Sequence, residues 1–250
     1  MDPTPAPIDA VFAVPELLAH VLGYLDLGDV PAVRCTCHAW SAAVFRVRCE
    51  PADHKRVEGR VYQLVIDGSG TKLKAALAQV DLVTAALYAR NMLVVAARYG
   101  RLEIAQWLAA HFGTTADDAR ITNNWALRTA CERGYLKTAQ WLASHFGLSP
   151  EDARANHNYA LRAACANWHL RIAQWLADYF GLAIADARSC DNGALRAACT
   201  NDDLGTVQWL VDRFEFTDAD AQDAVYQTTC AKSGADRLKT VRWLTTRFRL

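Results

Sequence analysis

Four groups of residues in this chain have the types that chemistry uses. Gly68-Ser69-Gly70-Thr71-Lys72 follows an apolar run, where backbone donors can cradle a phosphate. The spacing fails, because a phosphate loop needs Gly-x4-Gly-Lys-Ser/Thr and no glycine directly precedes Lys72; a turn ahead of a helix is the reading it supports. Cys35, Cys37, His38 and Cys49 are ligand types for zinc, yet no two-residue cysteine spacing repeats. His111 and His145 stand 34 residues apart, but no Ser-His-Asp order, nucleophile elbow or His-Glu-x-x-His accompanies them. The fourth group is different in kind. Trp125, Tyr159 and Gly193 share one position at intervals of 34, with Asn124, Asn158 and Asn192 beside them and Arg128, Arg162 and Arg196 about one helical turn on. Aromatic and arginine side chains are the usual anchors of binding surfaces. The chemistry indicated is recognition; no enzymatic activity, cofactor or metal is expected.

The elements that position these residues follow from the same interval. Trp107, Trp141, Trp175, Trp209 and Trp243 are each 34 apart, as are Phe112, Phe146, Phe180, Phe214 and Phe248, and Leu102, Leu136, Leu170, Leu204 and Leu238. Several registers held in phase over five copies mark an array. Within one unit, Ala126, Leu127, Ala130 and Cys131 fall on one side of a short helix that Gly134 ends. A second helix carries Leu136, Ala139, Leu142 and Phe146 on its stripe, with Trp141 turned towards a neighbour, and ends at Gly147. Ser149-Pro150-Glu151-Asp152 then reads as the cap of a further helical turn. Thr115 with Asp118 and Thr217 with Asp220 repeat that cap, whereas Ala183 breaks it ahead of Asp186, so the loosest start is expected there. Neither helix, at roughly 8 and 11 residues, could bury its stripe alone, so the units must stack.

Ala-Leu-Arg-x-Ala-Cys, at 126–131, 160–165 and 194–199, resembles the Pro-Leu-His-x-Ala-Ala stretch of ankyrin repeats, and Gly100-Arg101-Leu102-Glu103 resembles their Gly-His-Leu-Glu hinge. Trp125-Ala126 and Arg128 depart from the Thr-Pro and His of that pattern, and the Asp-x-x-Gly of its β-turn is missing. The resemblance therefore implies ankyrin-like helix pairs in which a helical turn replaces or shortens the protruding hairpin. Arrays with Gln-Trp-Leu in the second helix and Asp-Ala-Arg in the connector are similar to those of large DNA viruses of amoebae and some protists. Trp168 replaces the hinge glycine of its copy and is a candidate exposed aromatic. Residues 71–89 are at best a divergent first cap. Near the far end, Cys199 to Cys230 is 31 while Trp209 to Trp243 is 34, so three residues have left the connector and three have entered the hinge around Ser233-Gly234-Ala235. Lys239, Arg237, Arg242, Arg247 and Arg249 make the last helix basic, as suits a solvated terminal cap or, alternatively, an acidic partner.

The first fifty residues carry another pattern. Phe12, Val14-Pro15-Glu16-Leu17-Leu18, Val21-Leu22, Tyr24-Leu25-Asp26, Val30, Val33 and Trp40 fit two or three short helices with more apolar surface than so few residues can bury internally. This stretch resembles an F-box: a Leu-Pro-x-Glu-Leu-Leu start with Val14 for the leucine, then Tyr-Leu-Asp, and a closing Cys-x-x-Trp at Cys37 to Trp40. The resemblance implies a three-helix module that docks on the Skp-family adaptor of a cullin ubiquitin ligase. On this chain Pro15, Leu17, Leu18, Leu22, Leu25, Val30 and Val33 would supply the adaptor-facing or core surface. The alternative is that they form an N-terminal cap on the repeats.

Composition fits this plan. Six of the seven prolines fall by Pro51, which leaves the rest of the chain free to form helices. Basic and acidic residues balance at 27 each, so neither nucleic acid nor an anionic membrane is an expected partner. No run is long enough for a transmembrane helix and no signal peptide is seen, so a soluble cytoplasmic protein is expected, with Cys131, Cys165 and Cys199 acting as small buried hydrophobes.

The expected architecture is all-α: an F-box-like module at 8–49, a mildly basic linker and divergent cap at 50–89, in which Val61 to Ile66 could be a short strand or a helix start, and an ankyrin-like solenoid of about five units at 90–250. The expected function is a protein-binding adaptor that recruits an unknown target protein. Candidate target contacts are Asn124, Trp125, Arg128, Asn158, Tyr159, Arg162, Trp168, Asn192 and Arg196; equally, the arginines could pair with Asp118, Asp152 and Asp186 and brace the stack.

Overall fold

A computed structural model describes residues 51–80, 82–231 and 238–250. The F-box-like segment, with its candidate adaptor residues, and the inserted hinge at 233–235 lie outside the described residues. The chain divides into two compact units, 1–60 and 61–250. Among the described residues every regular element is a helix.

Proline opens the first of them. Helix α1 (Pro51–Ile66) starts on a residue whose fixed φ and missing N–H suit a first helical position. Its last turns bury Val61 and Val65, four apart on one face. The segment expected as a solvated linker is therefore helical, and the strand option for Val61 to Ile66 falls. After a turn at Gly68, α2 (Gly70–Leu77) buries Leu73 and Leu77. Leu73 stands one step of 34 before Trp107, and Lys74 Nζ lies 5.3 Å from the centre of that indole ring, so the array's spacing already holds in this divergent pair.

From α3 (Leu82–Arg98) onward the units are regular. Each has a first helix, a hinge and a second helix: α3 with α4 (Leu102–Phe112), α6 (Ile121–Glu132) with α7 (Leu136–His145), α9 (Ala155–Ala166) with α10 (Leu170–Tyr179), α12 (Ser189–Thr200) with α13 (Leu204–Phe214), and α14 (Asp218–Ala231) with α15 (Lys239–Phe248). The connectors hold one-turn helices α5 (Ala116–Ala119), α8 (Pro150–Ala153) and α11 (Ile184–Ala187). Consecutive first helices pack side by side, and each second helix packs against the first helix of its own unit.

The core between the layers is one continuous cluster, in which Leu127, Leu161 and Leu195, the cysteines Cys131, Cys165 and Cys199, and Leu142, Leu176 and Leu210 recur. Burial pushes the Cys199 thiol up to about 12 and the other two higher, so all three remain uncharged small apolar groups. On the second helices Trp107, Trp141 and Trp175 each stack or tilt against the ring four residues on (His111, His145, Tyr179) and meet the edge of the following phenylalanine.

The hinges stack as well. Gly100 and Gly134 have φ of +65° and +87°, and a Cβ on either would lie 2.3 Å from the Tyr135 ring and 2.7 Å from the His169 ring of the next unit. Glycine is needed there both for its conformation and for the neighbour's approach. Trp168 takes the same left-handed conformation, φ +58°, and projects into solvent at 61% exposure.

Candidate functional site

Each middle unit contains a local event that the 34-residue pattern does not announce. Inside α6, α9 and α12 three successive residues are left-handed: Thr122-Asn123-Asn124, Asn156-His157-Asn158 and Cys190-Asp191-Asn192, all with φ between 53° and 58°. Left-handed backbone costs an L-residue about 1 kcal/mol or more, and Asn and Asp bear it best. The third place is Asn in all three units. The kink turns the chain between the connector helix and the eight-residue stretch that packs in the core.

The last unit shows what the kink is. There the connector turn and first helix run together as α14, with no positive φ between Phe216 and Ala231. The three residues missing between Cys199 and Cys230 are thus the three left-handed ones. The connector carries a left-handed turn into three units and runs on as plain helix into the last.

Two rows of arginines surround the kinks. In the first row Arg120 Nε and Nη2 reach both carboxylate oxygens of Asp152 in the next unit at 3.0–3.2 Å, Arg154 grips Asp186 at 2.8 and 3.2 Å, and Arg188 grips Asp220 at 3.0 and 2.6 Å. Arg90 pairs with Asp118 at 2.8 Å. Each of these aspartates also accepts the backbone N–H that opens its own helical turn, from Thr115, Ser149, Ala183 and Thr217. Ala183 offers no hydroxyl, but its N–H keeps that bond at 2.9 Å and α11 keeps the length of its counterparts, so the looser start expected there does not occur. Burial opposes the ionisation of Asp152, Asp186 and Asp220, and the arginine and backbone donors outweigh it, leaving all three pKa values below the ordinary range.

Two of the three candidate asparagines join this staple and the third bonds beside it. Asn124, Asn158 and Asn192 are 5%, 7% and 8% exposed, so they are buried supports of the stack and not surface anchors. Asn124 Nδ2 donates to Asp152 at 3.1 Å, Asn158 hydrogen-bonds Asp186, and Asn192 reaches Asp223 at 3.4 Å. A buried amide placed by a left-handed backbone can meet the next unit's carboxylate where a helical one would point along its own helix.

The second row, Arg128, Arg162 and Arg196, does not make the connector pairs offered as its structural role. Arg128 donates to the carbonyls of Thr122 and Asn123, Arg162 to those of Asn156 and His157, and Arg196 to that of Cys190. These carbonyls lie in the left-handed turn of the same unit, whose acceptors a regular helix would have used internally. The acids are held by other arginines, and no described carboxylate pairs with any of these three.

Aromatic rings complete the row. Arg128 Cζ lies 5.7 Å from the centre of the Trp125 ring and 4.7 Å from that of Tyr159, and Arg162 Cζ lies 5.8 Å from the same tyrosine. The Tyr159 hydroxyl donates to Glu132 at 3.0 Å, and burial, with that carboxylate adding to it, raises its pKa. At the third rung Gly193 leaves room for Arg162, whose Cδ would be 2.8 Å from a Cβ there. Trp125, Arg128, Tyr159, Arg162 and Arg196 thus form one outward row along the first helices. Trp168 is not part of it, since it lies beyond the other end of α9, at the hinge edge.

Comparison with known families finds two matches. Residues 127–177 match a family model for ankyrin repeats (many copies). Residues 14–50 match one for the F-box domain. No curated protein matches the chain. The ankyrin match covers one and a half of the units that carry the row, from Leu127 in α6 through α10.

Sequence reasoning missed both the left-handed triplets and the stapling arginines. A signal for the second was present. Asp-Ala-Arg recurs at 118–120, 152–154 and 186–188, and its Asp accepts from the preceding unit while its Arg donates to the following one.

Proposed function

We propose that the chain is the target-recruiting subunit of a Skp–cullin–F-box ubiquitin ligase, with residues 14–50 engaging a Skp-family adaptor and the repeat array holding the protein to be ubiquitinated. The observation that carries this reading is the pairing, in one chain, of an F-box match with a repeat array whose outward face bears an arginine and aromatic row in which no arginine pairs with a carboxylate among the described residues. Both families serve as binding modules, and among the described residues no His, Cys, Asp or Glu group is arranged to hold a metal ion. Likewise no described helix is long and apolar enough to cross a membrane.

Recovery of the Skp adaptor by the full chain, compared with a Leu17→Asp, Leu22→Asp variant, tests the ligase half. Capture by the first and loss by the second is expected. Equal recovery by both, or by neither, leaves the second reading, a binding module or decoy that occupies its target without delivering it. Nucleic acid is a weaker candidate for the array, because the chain's charges cancel.

A further inference from the structure

Which kind of segment the row accepts can be argued from its spacing and charge, and the argument rests on the target-recruiting reading above. Arg128, Arg162 and Arg196 hold the same place on first helices that pack side by side, so they stand about 8–10 Å apart, and the 4.7 and 5.8 Å from Arg128 and Arg162 to one tyrosine ring are compatible with that spacing. Arg196 continues the series one unit on. Each keeps part of its fork on backbone carbonyls, which fixes its direction without neutralising it. Their fellow arginines at 120, 154 and 188 are all neutralised by aspartate. Of the acids nearby, Glu132 is held by the Tyr159 hydroxyl, and Asp191 is exposed in the third kink.

A peptide that presents carboxylates to such a row must repeat its face about every 9–10 Å. A polyproline II segment does so, with three residues per turn and ~3.1 Å per residue, so that positions i, i+3 and i+6 form one edge. A β-strand alternates faces and returns to one every ~6.6 Å, which falls out of step by the second rung. Trp125, 38% exposed, and the ring of Tyr159 lie on the same line and provide the flat aromatic surfaces on which proline rings pack. We propose that the outward row binds an acidic, proline-rich target segment in the polyproline II conformation, with aspartate or glutamate at every third residue paired to Arg128, Arg162 and Arg196.

The test is fluorescence anisotropy of the full chain with three labelled peptides of equal charge: Asp-Pro-Pro repeated four times, the same composition with its aspartates in one block, and an alanine-rich helical peptide with aspartates seven apart. The first is expected to bind at least about tenfold more tightly than the other two, and Arg128→Gln or Arg162→Gln to cost roughly tenfold. The peptide comparison uses the unaltered protein, so a variant that folds poorly does not blur it. Equal affinity for the block peptide, tighter binding of the helical one, no binding of any, or equal affinity for a single-stranded oligonucleotide of similar length would overturn the proposal. Recovery of the Skp adaptor through residues 14–50 is read separately, so the ligase reading stands or falls on its own measurement.

Discussion

Two arginine rows of identical period run through this array, eight residues apart in each unit, and they reach opposite electrostatic states. Arg120, Arg154 and Arg188 sit just before the left-handed turn, where the next unit's aspartate is within reach of a two-pronged fork. Arg128, Arg162 and Arg196 sit just after it and donate to the carbonyls of the turn itself, with no carboxylate among the described residues paired to them. The kink decides which arginine is consumed by the scaffold and which is left facing outward with its charge. Residue type and period are the same for both rows and could not have told them apart; only the Asp-Ala that precedes each stapling arginine distinguishes that row in the sequence.

The largest effect that separates the rows is expected from removing an acid. Asp186→Ala deletes the partner of Arg154 and of Asn158 and frees the Ala183 N–H, so the chain should lose about 3 kcal/mol in urea denaturation. Arg154→Ala should cost nearly as much, since it leaves a buried carboxylate without its cation, and the double variant should cost clearly less than the two losses together. Additive losses would mean that the staple is not one unit.

A second break sets the hinge edge against the kink edge. Both hold left-handed residues, but at the hinge the next unit's ring rests on the glycine, whereas the first two residues of each kink are exposed. Gly134→Ala should therefore destabilise by about 2 kcal/mol, from the φ of +87° and from contact with His169, and adding His169→Ala should restore the contact portion only. Arg162→Ala is milder. Its two carbonyl partners lie at an exposed turn and regain water, so about 1 kcal/mol is expected, with loss of target binding disproportionate to that. A loss near 3 kcal/mol would instead place Arg162 with the stapling row.

What the sequence disclosed follows from what repeats in it. Trp107 to Trp243 and Leu127 to Leu195 recur because the same core contact is made in every unit, and one contact per unit is what a fixed interval records. The triplets at 122–124, 156–158 and 190–192 resist reading because left-handed backbone tolerates several side chains; the first-place Thr122, Asn156 and Cys190 are three different types, and only the third-place asparagine is constant. The three-residue shortening near Cys230 was the legible trace of the kink, since it removes one and leaves a straight α14. Asparagine at 124, 158 and 192 looked like a surface row because it neighbours one, and its burial comes from a backbone turn that composition does not specify.

The subtlest difference between the rows is in their response to acid. Asp152, Asp186 and Asp220 have pKa values below the usual value near ~3.9 in the folded chain, so the stability they contribute is complete above that value and drains away as the pH falls through their lowered folded values. The carbonyls that hold Arg128, Arg162 and Arg196 do not titrate. Asp186→Asn should accordingly be weaker than the parent at pH 7 yet lose less stability between pH 5 and pH 2, whereas Arg162→Ala should follow the parent's slope throughout. Urea midpoints taken across that interval give the comparison directly. A parent slope left unchanged by Asp186→Asn would show that its carboxylate is not held in the charged form by Arg154. A slope flattened by Arg162→Ala would show that a carboxylate does reach the outward row, which would remove the free charge on which acidic-segment recognition depends.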